Sequence, residues 1–461
     1  MAALLVASLL PLGCRHLARN ASSEPALPPP IARTAISRAH ERPGTSRTPT
    51  DPLAAAKSPG ASLAIDVRPL GFIPFDSVTL PLVAMRSVEG RREYVLAAQV
   101  GATPTWPALL ADGTPEDSSQ PRGLQIVAFR ASADAGPSGR DRRSLEAIAW
   151  QTGLSRGLLL GRSCDERGFL VEWPRHDGSR WIGRVDWSTG AEEWLADSRA
   201  TVNAFATLGP DGSLAYSRRN THRADSAAPA FELVVRSAGG SAESERVLAL
   251  PGVSLVFPCF SAGAEVVYVL GVGQQPGTRL RVFAVNLALP GEGQAPGALR
   301  IAGESSLDVE ASIASAFQTT LCIQTPWPGP RRGPLSRGIA LMSGETASMA
   351  WIDPSRSAVI PLAGATVGAV PFFDPLGAGA KGLLLGAASD LVFQAVESGD
   401  AAPKFAREAS VWRGGFVPRV VGDENRPRYI LFSPPLAGAS EQTGVCELRP
   451  EEVHGLPQSG P

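Results

Sequence analysis

Lysine is nearly absent: of the 43 basic residues in this 461-residue chain only Lys57, Lys381 and Lys404 are not arginine. None of the three stands in a G-x-x-x-x-G-K-[ST] string, which excludes a P-loop nucleotide site. The formal net charge is −1, so no bulk attraction draws the chain to nucleic acid or to an anionic membrane, and no nucleic-acid partner is expected. Histidine is also scarce, with five in all. His16, His40 and His454 lie in polar terminal stretches, leaving His176 and His222 as metal-ligand candidates. Solvated loop histidines are the plainer reading of both, and no cofactor is expected. The cysteines Cys164, Cys259, Cys322 and Cys446 are widely separated without a CxxC pair; no bridge is signalled, and buried thiols on strands are expected. From about residue 80 onward no sustained helical period occurs, while 48 Gly and 41 Pro argue for many turns.

One apolar run opens the chain, AALLVASLLPL over residues 2–12, followed by Gly13-Cys14. It is too short to span a bilayer as a helix but suits the core of a signal peptide. Leu10-Pro11-Leu12-Gly13-Cys14 resembles a bacterial lipobox, although Pro11 stands where Leu is usual and Leu12 where a small residue is usual. The resemblance implies lipidation of Cys14; an ordinary signal peptide with an incidental cysteine is the alternative. Residues 15–60, with SSEPALPPP and RPGTSRTPTDP, are Pro- and Ser-rich without period and read as a disordered tether. A coil of that length reaches about 35–40 Å. An exported protein of the periplasm or cell envelope is therefore expected, touching a membrane only through its lipid.

The body reads as repeated short strands. GFLVEW (168–173), WIGRVDW (181–187) and AEEWLA (191–196) are separated by Asp177-Gly178 and Ser188-Thr189-Gly190, which makes an antiparallel meander. A turn with flanking strands then recurs in TVNAFATLGPDGSLAYSRR (201–219), LVFPCFSAGAEVVYVLG (255–271) and AVPFFDPLGAGAKGLLLG (369–386). These resemble the "FSPDG…L.Y" element of TolB-like and WD40-like propeller repeats. The resemblance covers one turn and two strands per repeat and implies a β-propeller without a fixed activity. Seven anchor strands follow: EYVLAA (93–98), GFLVEW (168–173), LAYSRR (214–219), VVYVLG (266–271), TLCIQT (320–325), GLLLGA (382–387) and YILFSP (429–434). The expected fold is all-β, a propeller of about seven four-stranded blades over residues 61–452, with a disordered tail at 453–461. Two stacked β-sandwiches are the rival. After YILFSP only GVCELRP (444–450) remains, so the seventh blade needs an N-terminal strand to close it, and SVTLPLV (77–83) is the spare one.

Catalytic motifs are weak. Gly153-Leu154-Ser155-Arg156-Gly157 matches the serine-hydrolase G-x-S-x-G string, but the following LLLGRSCDERG cannot form the required helix. Leu335-Ser336-Arg337-Gly338 also precedes a strand, so both read as inter-strand turns. Trp173, Trp181, Trp187 and Trp194, interleaved with Arg175, Arg180 and Arg184, could stack on a sugar or peptide, though filler between blades is the plainer role.

Turns entering the anchors are short, whereas the loops at about 100–123, 220–230, 272–279, 326–338 and 435–443 lengthen after them. Loops leaving like strands share one end of a ring, so that end is expected to carry the binding face, with Trp106, His176, His222, Arg331 and Arg332 as candidates. The expected function is non-catalytic binding or scaffolding by a monomer, with a protein or saccharide partner. The alternative is a lactonase-type propeller hydrolase with a metal in its central channel.

Overall fold

The computed structural model describes residues 65–73, 81–101, 124–133, 145–148, 158–175, 177, 179–220, 230–273, 279–287, 299–310, 322–324, 335–343, 348–373, 380–387, 390–397, 404–413, 417–422, 427–433 and 443–450. Among these residues the chain forms 27 strands and no α-helix. After β1 (Ile65–Ile73) come seven antiparallel meanders. Blade one is β2 (Leu82–Val88), β3 (Arg91–Gly101), β4 (Leu124–Ser132) and β5 (Glu146–Ile148). Blade two is β6 (Leu158–Cys164), β7 (Gly168–Pro174), β8 (Arg180–Asp186) and β9 (Glu192–Ala196); blade three is β10 (Thr201–Leu208), β11 (Leu214–Asn220), β12 (Glu232–Arg236) and β13 (Arg246–Leu248). Blade four is β14 (Val253–Phe260), β15 (Val266–Gly273), β16 (Arg279–Asn286) and β17 (Arg300–Glu310).

Blade five comprises β18 (Cys322–Gln324), β19 (Ile339–Ser343), β20 (Ser348–Asp353) and the first half of β21 (Ala358–Phe373). That strand pairs with β20 up to Ala365 and, from Thr366, with β22 (Ala380–Ala387) of blade six. β23 (Asp390–Glu397) and β24 (Lys404–Arg413) complete blade six. Blade seven is β25 (Val417–Val421), β26 (Arg428–Ser433), β27 (Thr443–Pro450) and, outermost, β1. Local sequence explains the meanders. Glu89 and Gly90, both at positive φ, make the two-residue hairpin of blade one. Gly212 at φ 84 closes the Gly209–Ser213 turn of blade three, where Asp211 accepts from the Ser213 amide.

A lone meander leaves two apolar faces uncovered, and stacking into a ring covers both. Each of the seven seams holds its own buried cluster. Phe169 and Trp187 fill the seam of blades one and two, Ile182 and Tyr216 that of two and three, and Leu255 and Phe283 that of three and four. Leu270 and Ile339 join blades four and five; Trp351 and Leu383, five and six; Leu391 and Tyr429, six and seven. Ile73, Tyr94, Phe129 and Phe432 close the last seam, between blades seven and one. The fold is a seven-bladed propeller. Cys164 and Cys259 are buried free thiols and Cys446 is partly buried, as expected; the Cys322 side chain lies outside the described residues.

The strand that completes blade seven is Ile65–Ile73, not the expected 77–83. Leu82–Val88 instead pairs with β3 as the inner strand of blade one. Pro69 and Gly71 obscure β1 in the sequence, yet an outermost strand tolerates both, because among the described strands it pairs with β27 alone; the register shifts between them. The fifth anchor is also displaced. TLCIQT contains the inner strand of blade five, and the true counterpart of the other anchors is Ile339–Ser343. Short apolar runs on either side of a long connection carry no mark of which is inner, and this misassignment places the loop over 326–338 at the wrong end of the ring.

Candidate functional site

Strand direction divides the connections between two ends. Those joining second to third strands, and outer strands to the next inner strand, emerge together at what is here the upper end. The segments 102–123, 175–179, 221–231, 274–278 and 434–442 belong to it. The segment 325–338 joins the inner and second strands of blade five, so it emerges opposite. Trp106, His176, His222, Arg331 and Arg332 all lie outside the described residues, as do Cys14 and the 153–157 motif. Leu335–Gly338 is described, and it is an inter-strand turn: Leu335 is buried and Gly338 stands at φ 116 before β19.

At the upper end of blades two and three the described residues assemble a charged and aromatic cluster. Its scaffold is Val202 on the inner strand of blade three. Val202 pairs with Arg219 of β11 on one side and, by a parallel bridge, with Arg180 of β8 on the other. Arg180 is buried and donates to Glu172 Oε2 at 2.6 Å, and the other oxygen of Glu172 accepts the Phe205 amide at 2.5 Å. Asn203 Nδ2 donates to the Arg180 carbonyl at 3.1 Å, binding the two blades further.

The Phe205 amide reaches Glu172 because β10 bulges between Ala204 and Thr207, with Phe205 at φ 58. A bulge inserts a residue and reverses the facing of the residues beyond it. Ala204 therefore packs with the blade-four cluster and Ala206 with the blade-two seam. The device repeats in blade four, where β14 bulges between Val256 and Cys259 with Phe257 at φ 54. The two phenyl rings lie 4.2 Å apart, and Phe205 stands 6.1 Å from Phe231. A bulky residue at positive φ costs about 1–3 kcal/mol, and such strain gathers at functional positions.

Arg219 is the unusual member. It is half-buried, its guanidinium lies 4.9 Å over the Phe231 ring, and among the described residues it forms no ion pair and no side-chain hydrogen bond. Burial, and secondarily the Arg180 charge, lower its pKa. Glu172 pairs with Arg180, so among the described residues of the cluster one positive charge is in excess.

Across blade two lies the tryptophan group. Trp187 is fully buried against Phe169 at 4.7 Å, and Trp173 is nearly so, both filling the seam with blade one. Trp194 is different: 39% exposed, it meets Trp173 at 4.8 Å and Trp181 at 5.2 Å edge-on. Arg175 caps Trp181 at 4.4 Å. Gly183 makes room, since a Cβ there would stand 2.7 Å from Trp173. Filler and exposed platform are thus both present, on different tryptophans. Of the other arginines in this stretch, Arg184 pairs with Asp165 at the opposite end of the blade. The turn between Arg175 and Arg180 is fixed by Asp177, whose carboxylate accepts from the Ser179 hydroxyl and amide; both bonds hold its pKa below the usual range.

Sequence reading missed Arg219 and Glu172, since a charged residue at a strand end has the signature of a solvated one. It also missed the tyrosines. All four in the chain, Tyr94, Tyr216, Tyr268 and Tyr429, are buried on second strands. Tyr94 Oη donates to Glu447 of blade seven at 2.7 Å, and Tyr268 Oη accepts from the Gly338 amide of blade five at 2.8 Å. The Y of the recurrent "L.Y" element is thus, in these two cases, a stitch between blades.

No family model matches the chain, and no curated protein matches it. Among solved structures it is similar to a puromycin-hydrolysing peptidase of Mycobacterium tuberculosis, at 13% identity and TM-score 0.34 over 80% of this chain and 62% of that one. A putative oxidoreductase (glucose dehydrogenase) of Thermus thermophilus aligns at 12% identity and TM-score 0.38, covering 84% and 100%. The β-propeller domain of Cps50 (Swd1) from Myceliophteria thermophila aligns at 8% and 0.32, covering 83% and 99%. The chain thus spans less than two thirds of the peptidase. At these scores the likenesses carry no functional argument, and the seven meanders establish the fold by themselves.

Proposed function

We propose that this propeller is a non-catalytic binding or scaffold protein that engages a protein or saccharide partner with its upper end. The observation that carries the reading is the cluster at that end: a guanidinium on Phe231 that has no ion pair among the described residues, and an exposed tryptophan beside an arginine-capped one. Half-buried charge and exposed tryptophan each cost the free protein and are recovered on binding. Screening the full chain on glycan and peptide arrays tests this. Binding abolished by Trp194→Ala but unaffected by Arg91→Gln, at the opposite end, supports the reading; the reverse pattern overturns it. Chelator-sensitive turnover of a lactone panel would replace it with the hydrolase alternative.

The same reading places the protein outside the cytoplasm, held to a membrane by lipid on Cys14 through the 15–60 tether. Membrane fractionation of wild type against Cys14→Ser tests the anchor. The variant should shift to the soluble fraction, and equal partitioning removes the lipid from the proposal.

A further inference from the structure

We infer that Arg219, set beside Arg180 on Val202 and backed by Phe231, is a subsite for a single oxyanion group, a carboxylate or phosphate carried by the ligand. The inference rests on the upper end being the binding face and names the chemistry that face selects.

Four observations converge on it. First, the charges do not balance. Glu172 takes Arg180 on one oxygen and the Phe205 amide on the other, and among the described residues neither oxygen is bonded to Arg219. The nearby acids Glu232 and Glu245 are held by Arg218, and Glu245 also by Arg236 and the Tyr216 hydroxyl. Buried charges in folded proteins are paired, so a half-buried guanidinium that meets no counter-ion among the described residues is a place for a ligand to supply one.

Second, Arg219 is held in place without an acid. Its guanidinium lies over the ring of Phe231, itself buried, and the Phe231 amide is tied to Ser254 Oγ at 3.2 Å. Stacking restrains the guanidinium while leaving its N–H fork unconsumed, and a fork matches the two oxygens of a carboxylate or phosphate.

Third, the excess charge is maintained at a cost. Arg180 could have been placed elsewhere, yet Val202 brackets the two arginines on adjacent strands, and their repulsion depresses the Arg219 pKa. Fourth, the neighbouring backbone is strained at Phe205 and Phe257. The Phe205 bulge delivers the amide that neutralises Glu172, so the strain secures the arrangement in which Arg219 alone is left over.

The protein neither needs nor benefits from this charge in the unliganded state, and that separates a binding role from a structural one. Titration calorimetry of the full chain with inorganic phosphate and, separately, with glucuronate supplies the test, with thermal melts of each variant alongside. Arg219→Gln should weaken the preferred probe at least about tenfold while leaving the melting temperature unchanged or higher. Arg219→Lys, which keeps charge without the fork, should retain part of the affinity. Arg91→Gln, exposed at the other end, should match wild type. Stronger binding of phosphate identifies a phosphorylated ligand, and stronger binding of glucuronate a carboxylated one.

The inference is overturned if neither probe binds, if Arg219→Gln binds as wild type does, or if that variant melts lower with affinity unchanged. Should array binding be lost with Trp194→Ala but persist in Arg219→Gln, the oxyanion subsite falls while the upper-end reading stands.

Discussion

The seam between blades seven and one should depend on one carboxylate. Glu447 on β27 is fully buried and accepts from Arg68 of β1 at 2.9 Å, Arg428 of β26 at 3.1 Å and Tyr94 of blade one at 2.7 Å. Arg68 continues across the seam to the carbonyls of Ser132 and Ala133 at 3.1 and 3.3 Å. Glu447→Gln leaves two arginines facing a neutral amide. Removing one partner of a buried pair costs about 3–5 kcal/mol, a large part of the roughly 5–15 kcal/mol total of a folded protein. Tyr94→Phe removes one hydrogen bond to a charged acceptor, worth about 1.5–3 kcal/mol. The two changes share a contact, so the double variant should lose less than the sum of the singles. The loss should also be local: hydrogen exchange over Ile65–Ile73 and Thr443–Pro450 should quicken by about two to three powers of ten, while blades three and four keep their protection. Exchange unchanged in β1, or Glu447→Gln within about 0.5 kcal/mol of wild type, would refute the latch.

Deleting residues 1–60 should leave the melting temperature unchanged, whereas deletion through 73 removes β1, exposes the β27 edge and should promote aggregation, read by light scattering. Gly183→Ala should destabilise by about 1–3 kcal/mol in chemical denaturation, because the new Cβ meets Trp173 at 2.7 Å and the Glu193 carbonyl at 3.3 Å. Burial, before any charge effect, raises the pKa of Tyr94 and Tyr216 above the ordinary tyrosine range and that of Tyr268 to about 12. Folded values above the unfolded one mean a contribution intact below about pH 10 and lost as pH rises through the folded values; stability should fall there by up to about 1.4 kcal/mol per pH unit per tyrosine. Phenolate absorbance should show these three still protonated until the protein unfolds. Cys164 and Cys446, with burial raising their pKa to about 12 and about 11, should resist alkylation in the native state.

Much of this ring is visible in the chain because blade architecture is local. A strand, a tight turn and a strand are contiguous, and Asp211-Gly212 or Thr189-Gly190 announces the turn whatever the neighbours are. Six of the seven anchor strands follow from that alone. The misreadings arise where information from outside the repeat is needed. β1 pairs with residues nearly four hundred positions away, and its Pro69 and Gly71 break the alternation that marks a strand. The inner strand of blade five has three residues, too few to reveal its place in the order. The candidate site fails to show for a related reason. Trp181 and Trp194 attract notice by composition, but Arg219 differs from Arg218 only in which face it occupies. Arg218 finds Glu232 and Glu245, while Arg219 finds Phe231. Neighbouring residues on a strand point opposite ways, so identity alone cannot say which arginine is spent on structure.

The seams of the ring are not equivalent, and that inequality bears on where binding can be precise. Among the described residues four seams are joined by backbone as well as by side chains: blades five and six share β21, blades two and three are bridged at Val202 and Arg180, the Leu255 amide of blade four donates to the Phe231 carbonyl of blade three at 2.8 Å, and the Leu145 amide of blade one donates to the Phe72 carbonyl of blade seven at 2.9 Å. The bridge between blades two and three is reinforced by the Glu172–Arg180 pair, by the Phe205 amide on Glu172 and by Asn203 on the Arg180 carbonyl. Breathing motions should therefore concentrate at the other three seams. Arg219 pairs with Val202 at that bridge, while Phe231 beneath it is bonded through its amide and carbonyl to blade four. A ligand recognised by one guanidinium gains affinity chiefly when the group is already positioned, because little ordering remains to be done on binding. The strained bulge at Phe205 is then intelligible. It costs stability within β10, and in return it anchors Glu172 and ties β10, the neighbour of the strand that carries Arg219, to blade two.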